Sequence, residues 1–225
     1  MNKLFENTLY INLDSRPDRN ESALNEFVKM GITPQRVSAV DTTDLLPKDE
    51  PGSPGMLGCG LSHLKCLKTA RDNNWDYVFI CEDDVGFTNP DLLKSSLQKF
   101  LDDPKCPNWD VLLIGCNLFK SDPPNKKLNN YSIRVRKAFS TVSYIVKKKY
   151  YNTFIQNLEE STEALKQNLT KDLTYALDVA WLKLQKRDNF IMIIPATVIQ
   201  NKSYSDISKN EVDHSSSLLN TDKGL

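Results

Sequence analysis

The run Tyr77-Val78-Phe79-Ile80-Cys81 constrains the fold most, because five consecutive apolar residues show none of the alternation of a half-exposed strand. Such a strand needs cover on both faces, and helices supply it in α/β sheets. Asp110-Val111-Leu112-Leu113-Ile114-Gly115 repeats the pattern. Strand-like segments at 8–13 and 36–40 come earlier, and helical periodicities fall in between. The first helix spans 18–30, with Leu24, Phe27 and Val28 on one face and Gly31 as its stop. A second covers 57–73 with the stripe Leu57, Leu61, Leu64, Leu67, and a third covers 90–101 with Asn89 as N-cap and Pro90 in its first turn. The βαβα order predicts an α/β fold with a mostly parallel central sheet and helices on both faces.

The second half reads as a strand over 138–146, helices over 148–158 and 173–185, and strands over 190–194 and 197–200. Polar loops are expected at 41–54, the best candidate for a mobile segment, and at 120–130. The chain from Asn201 onward is polar and serine-rich. A length of 225 residues suits one well-filled α/β domain or at most two small ones.

With 29 basic and 29 acidic residues the net charge is zero, so no global basic field exists to collect nucleic acid. A phosphate-bearing ligand therefore requires a local site. No stretch of 18 apolar residues suggests a membrane span, and the N-terminus lacks the pattern of a secretory signal. Five cysteines, odd in number and without a C-x-x-C pair, argue against zinc and against a disulfide framework. A reducing, cytoplasmic setting is the expectation.

The sharpest chemical feature follows the first apolar run: Glu82-Asp83-Asp84. Three adjacent carboxylates repel and raise one another's pKa unless a cation intervenes. They stand at the carboxyl end of a predicted strand, where open α/β sheets bind ligands. Mg²⁺ or Mn²⁺ would take carboxylate and phosphate oxygens together. A solvated acidic turn is the competing reading, and this fragment alone leaves both open. A metal-dependent phosphotransferase or nuclease also remains open, although two-metal sites draw carboxylates from several elements.

Two further segments carry polar chemistry. In Asn12-Leu13-Asp14-Ser15-Arg16-Pro17-Asp18-Arg19 a strand enters a turn and then a helix, so helix-start amides and two guanidinium forks could meet a base, ribose or phosphate. A capped helix with surface arginines explains the same residues. In Gly58-Cys59-Gly60-Leu61-Ser62-His63 the glycines allow close backbone approach. His63 by itself reads more readily as structural, since no third ligand type has metal-binding spacing here.

Taken in order, Ile11 to Arg19, Ala39-Val40-Asp41, Gly58 to His63, Glu82-Asp83-Asp84-Val85 and Trp109 to Gly115 resemble glycosyltransferase family 25. Looser matches continue through 138–147, Leu177-Asp178-Val179-Ala180-Trp181 and the stretch 195–207. The resemblance implies a GT-A-like, Rossmann-type single domain. A nucleotide-sugar-binding half would lie at about 1–115 and an acceptor-binding half at about 116–207, followed by a polar tail at 208–225. It implies transfer of a hexose from a UDP-sugar to a saccharide or glycoprotein hydroxyl, with inversion and with Mn²⁺ or Mg²⁺.

In the residues the resemblance matches, Glu82 and Asp84 fall on the metal motif. Asp83 falls near the ribose, and Asn12, Leu13, Arg16, Arg19, Asp41 and His63 fall on the nucleotide. Inverting transfer needs a base for the acceptor hydroxyl. Asp178 is the candidate, with Trp181 expected to stack on a sugar; His214 is the candidate for completing the metal shell. A catalytically inactive nucleotide-sugar binder is the alternative.

Overall fold

A computed structural model describes residues 2–45, 53–122, 127–167, 173–205 and 210–222. The elements run α1 (Asn2–Phe5), β1 (Thr8–Asn12), α2 (Pro17–Met30), β2 (Gln35–Ser38), α3 (Ser53–Asp72), β3 (Tyr77–Glu82), β4 (Val85–Phe87), α4 (Pro90–Asp102) and β5 (Val111–Ser121). They continue with β6 (Ser132–Lys147), α5 (Tyr151–Gln167), α6 (Leu177–Ala180), α7 (Leu182–Arg187), β7 (Phe190–Ile193), β8 (Val198–Gln200), β9 (Ser203–Ser205), β10 (Asn210–Val212) and α8 (Ser215–Leu219).

The main sheet has the order β2-β1-β3-β6-β5-β7. β1 pairs parallel with β2 and β3, and β5 pairs parallel with β7, while β6 runs antiparallel to β3, β5 and β7. Five strands thus point one way and one points back, so the sheet is the mixed, mostly parallel α/β sheet expected. β3 is central, and Val78, Phe79, Ile80 and Cys81 are fully buried, which explains their missing alternation. Helices α3, α5, α6 and α7 pack one face through Leu64, Leu67, Phe154 and Trp181. Helices α1, α2, α4 and α8 pack the other through Phe5, Phe27, Leu97 and Leu218.

Local signals set several boundaries. Gly31 ends α2 with φ +62°, the left-handed conformation that glycine takes without a Cβ penalty. Asn89 caps α4 by accepting the Leu92 amide at 3.0 Å, ahead of Pro90. The buried face of α2 differs from expectation: Ala23, Phe27 and Met30 are inside, whereas Leu24 and Val28 are exposed. The i, i+4, i+7 set meets β1 and β4, and Leu24 and Val28 are left on the outer flank.

Three long-range effects redraw the second half. β5 and β6 continue as an antiparallel ribbon that returns to the sheet where Ser132, Ile133 and Arg134 pair with β7, so strand replaces part of the loop expected at 120–130 and β6 begins six residues early. α5 continues to Gln167, beyond the expected end at 158. The expected helix over 173–185 is a 3₁₀ turn (Leu173–Tyr175), α6 and α7, broken at Trp181. The loop expected at 41–54 lies partly outside the described residues, as does part of the tail. Among the described residues no helix is long and apolar enough to cross a membrane.

Candidate active site

The carboxyl ends of β1 and β3 bring Asn12 next to Glu82-Asp83-Asp84, because β1 and β3 are parallel neighbours with Ile11 opposite Glu82. Strand alternation then divides the acids. Glu82 turns toward α3 and α6, while Asp83 turns toward the start of α2.

Asp83 is buried. Its Oδ2 accepts Asn12 Nδ2 at 2.8 Å and its Oδ1 accepts Arg19 Nη1 at 2.9 Å. Asn12 is held in turn by Arg36, whose Nε and Nη2 donate to Asn12 Oδ1 at 2.9 and 2.8 Å. Arg36 also reaches Asp14 Oδ1 at 2.7 Å. Burial raises the pKa of Asp83, and Arg19 and Asn12 offset only part of that rise. Arg19 also donates to Ser203 Oγ at 2.6 Å and to the Tyr204 carbonyl at 3.0 Å, and so joins the acidic turn to β9.

Asp84 is buried as well. Its Oδ2 accepts Gln200 Nε2 at 2.8 Å from β8 and lies 3.6 Å from Arg19 Nη1. Its Oδ1 is buried without a hydrogen-bond partner. Burial first and the neighbouring Glu82 charge second push its pKa up to about 7. A solvated acidic turn would not bury these groups.

Glu82 is half-buried. Thr141 Oγ1 donates to its Oε1, and His63 Nε2 stands 3.5 Å from the same atom. Burial alone would raise the Glu82 pKa, but His63, Thr141 and Arg19 outweigh it and hold the group low. His63 is fully buried, with Nδ1 2.8 Å from Tyr144 Oη and its ring stacked on Tyr144. It therefore meets Glu82 and Tyr144 rather than open surface.

Glu82 and Asp84 fit a hard divalent cation: an unsatisfied buried carboxylate oxygen lies beside a second, half-exposed carboxylate. Three other donors, on Cys59, His63 and Glu82, lie within 4.8 Å of one another. The sequence suggested no third ligand type near His63, and the structure supplies Cys59 one helical turn before it and Glu82 across from it. Thiol and imidazole are softer donors that suit zinc. Burial first, then the Glu82, Asp178 and Asp84 charges, push the Cys59 thiol well above its ordinary pKa.

Asp178 lies in the first turn of α6, and its Oδ2 accepts the Ser140 amide at 3.1 Å. Ser140 has φ +65°, a left-handed conformation rare for serine. The cause is the pairing of β6 with β5. Gly115 faces Ser143 and Asn117 faces Phe139, so four steps on β6 oppose two on β5 and bulge out Ser140-Thr141-Val142. One bulge therefore holds both Glu82, through Thr141, and Asp178, through Ser140. Burial and then the Glu82 charge raise the Asp178 pKa, with the Ser140 amide opposing.

The other expected residues scatter. The Leu13 carbonyl accepts the Arg16 amide at 3.0 Å and forms the turn into α2. Arg16 pairs with Asp18 at 2.8 Å and donates to the Tyr204 carbonyl at 3.3 Å. Asp41 is exposed after β2. His214 is exposed immediately before α8, and among the described residues no contact joins it to Glu82 or Asp84. Trp181 does not stack on a sugar. It is fully buried against Tyr144, Phe154 and Phe190, because the break between α6 and α7 turns its ring into the core.

Thr141, Ser140, Arg36, Gln200, Cys59 and Tyr144 join the site without having been assigned to it from sequence. The polar pair Ser140-Thr141 inside an otherwise strand-like run was the available signal for the bulge.

A family model described as "Glycosyltransferase family 25 (LPS biosynthesis protein)" matches residues 5–181. Procollagen galactosyltransferase 2 of Homo sapiens is 27% identical over 164 residues, covering 63% of this chain and 26% of that protein. A glycosyltransferase 25 family member of Aedes aegypti is 28% identical over 131 residues, covering 50% of this chain and 21% of that protein. The chain thus spans about a quarter of the length of these curated relatives. Among solved structures, a glycosyltransferase involved in glycosylation of the major capsid of PBCV-1 is 9% identical, covers 84% of this chain and 91% of that one, and has a TM-score of 0.40.

Proposed function

The chain belongs to glycosyltransferase family 25, and from that premise we propose that it transfers a hexose from a UDP-sugar to a hydroxyl of a saccharide or glycoprotein, with inversion and with a divalent cation. The single observation that carries this reading is the β6 bulge, whose adjacent residues hold Glu82 and Asp178. The donor anchor and a carboxylate base are thereby tied to one backbone segment.

Glu82 and Asp84 would hold the cation, Mn²⁺ or Mg²⁺. When bound, it supplies charge neutralisation for the departing diphosphate. Asn12 and Asp83, oriented by Arg36 and Arg19, face the nucleoside, and the α2 start with Arg16 and Arg19 lies toward the phosphates. Asp178 takes the proton from the acceptor hydroxyl as its oxygen attacks the anomeric carbon; the carbon–oxygen bond to the diphosphate breaks on the opposite face. The raised pKa of Asp178 makes it a better proton acceptor than a solvated aspartate. His63 and Thr141 keep one oxygen of Glu82 engaged, which leaves the other to bind. In this reading residues 1–115 form the nucleotide half and 116–207 the acceptor half of one domain, working in a reducing cytoplasm.

Family membership does not by itself decide turnover, since one relative is named "Inactive glycosyltransferase 25 family member 3" of Homo sapiens. Thermal-shift and UDP-release measurements with Mn²⁺ and a panel of UDP-sugars test both levels. Stabilisation by UDP that requires the metal supports the donor site, and UDP release lost in Asp178→Asn supports an active enzyme. Absence of any nucleotide response sinks the reading.

A further inference from the structure

The stacking platform that Trp181 does not provide has another candidate on the β5–β6 ribbon. Leu118 faces Ala138 and Lys120 faces Lys137, so Phe119 is an extra residue bulged from β5. Bulges re-aim side chains and are common beside active sites. Phe119 remains 47% exposed and meets Phe139 edge to face, with ring centroids 5.2 Å apart. Phe139 directly precedes Ser140, whose amide holds Asp178, so the ring pair is joined through one stretch of backbone to the residue that holds the proposed base.

One cation lies over these rings and a second stands beside it in the ribbon. Lys137 Nζ lies 5.3 Å from the Phe139 centroid and 5.8 Å from that of Phe119. Lys120 is its direct cross-strand partner. Like charges in opposed positions destabilise a ribbon. Among the described residues neither lysine has a carboxylate partner, and Asp122, the acid on this ribbon, is taken by Arg136 at 2.5 Å and Arg134 at 4.0 Å. A built-in repulsion of this kind suits a site that meets an external anion.

We propose that Phe119, Phe139, Lys120 and Lys137 form the acceptor subsite, and that its ligand is a pyranoside carrying an anionic group, carboxylate or phosphate. This rests on the transferase reading and narrows its acceptor. The C–H face of the pyranose packs on the aromatic rings, and the anion meets the two ammonium groups. Exposed charge pairs contribute about two- to five-fold in affinity each.

The test is equilibrium binding by saturation-transfer NMR, with and without UDP and Mn²⁺. The probes are 4-nitrophenyl β-D-glucuronide against 4-nitrophenyl β-D-glucoside, and glucose 6-phosphate against glucose. The expected result is tighter binding of the anionic member in at least one pair, by roughly five-fold or more; the pair that discriminates identifies the carboxylate or the phosphate source. Lys120→Gln with Lys137→Gln should erase the preference, and Phe119→Ala should weaken both members of the pair alike. Equal binding within both pairs, binding of none of the four, or a preference that survives the double substitution overturns the proposal. A separate UDP titration of the same samples reports the donor site and confirms that the variants are folded. Failure of nucleotide binding is thus distinguishable from failure of the acceptor subsite.

Discussion

The Ser140 amide donates to Asp178 Oδ2 at 3.1 Å from a backbone with φ +65°. Strained non-glycine conformations of this kind persist where surrounding structure over-determines them, and they cluster at functional sites. Here the surroundings are the β6 bulge, Glu82 on one side and α6 on the other.

Replacing Ser140 separates conformation from side chain. Ser140→Gly should leave stability within about 1 kcal/mol of wild type, since glycine adopts φ > 0 freely. Ser140→Val should cost roughly 1–3 kcal/mol, because a β-branched residue resists this conformation. Urea unfolding of the two variants measures the difference, and equal midpoints would show that the bulge is not held in this form.

Thr141 is expected to act on metal affinity through Glu82. Groups that orient a ligand typically change affinity by about 10–100-fold when removed. Thr141→Val should weaken Mn²⁺ binding in the presence of UDP by at least about tenfold, and Thr141→Ser should restore it. Calorimetric titration of Mn²⁺ decides; an unchanged affinity in Thr141→Val would remove the residue from this role.

Asp178 makes opposite predictions for stability and rate. Its folded pKa is raised above the ordinary 3.8 by burial and by Glu82. A raised folded pKa means that the stabilising contribution is complete below the unfolded value and is lost as pH rises through the folded value. Asp178→Asn should therefore be more stable than wild type at neutral pH and equal to it in strong acid. The same substitution should lower the transfer rate by roughly 10²–10⁴-fold. It should also remove the part of the acid limb of the rate profile that belongs to Asp178, read at saturating Mn²⁺ so that protonation of Asp84 is held apart. Melting temperatures and rates across pH test both halves.

Gly58 is expected to be sensitive to a single added methyl group. A Cβ there would lie 2.6 Å from the Val40 carbonyl, which is backbone and cannot rotate aside, and 2.9 Å from the side-chain Oγ1 of Thr42. Gly58→Ala should cost roughly 1–3 kcal/mol by overpacking, read from the urea midpoint. An increase in stability would show that α3 can move away from the segment after β2.

The layered α/β plan and the position of the acidic turn follow from local residue patterns. Unalternating β3, the Gly31 stop and the Asn89-Pro90 start are local signals, written in residue type and spacing, and each appears in the structure. The same holds for Asn12, Arg19 and Glu82-Asp83-Asp84, which the parallel β1–β3 pairing brings together as neighbouring strand ends. The remaining features arise from long-range packing. The side of the sheet on which each acid lies, the partnership of His63 with Glu82 and the burial of Trp181 depend on groups 19 to 81 positions apart or on a helix break made by packing. The β6 bulge depends on register against β5: the polar pair Ser140-Thr141 marks an interruption, but a strand's sequence specifies its faces and not the point where its partner falls out of step. The acidic cluster was therefore legible as a place, whereas its coupling to Asp178 arises from register and packing.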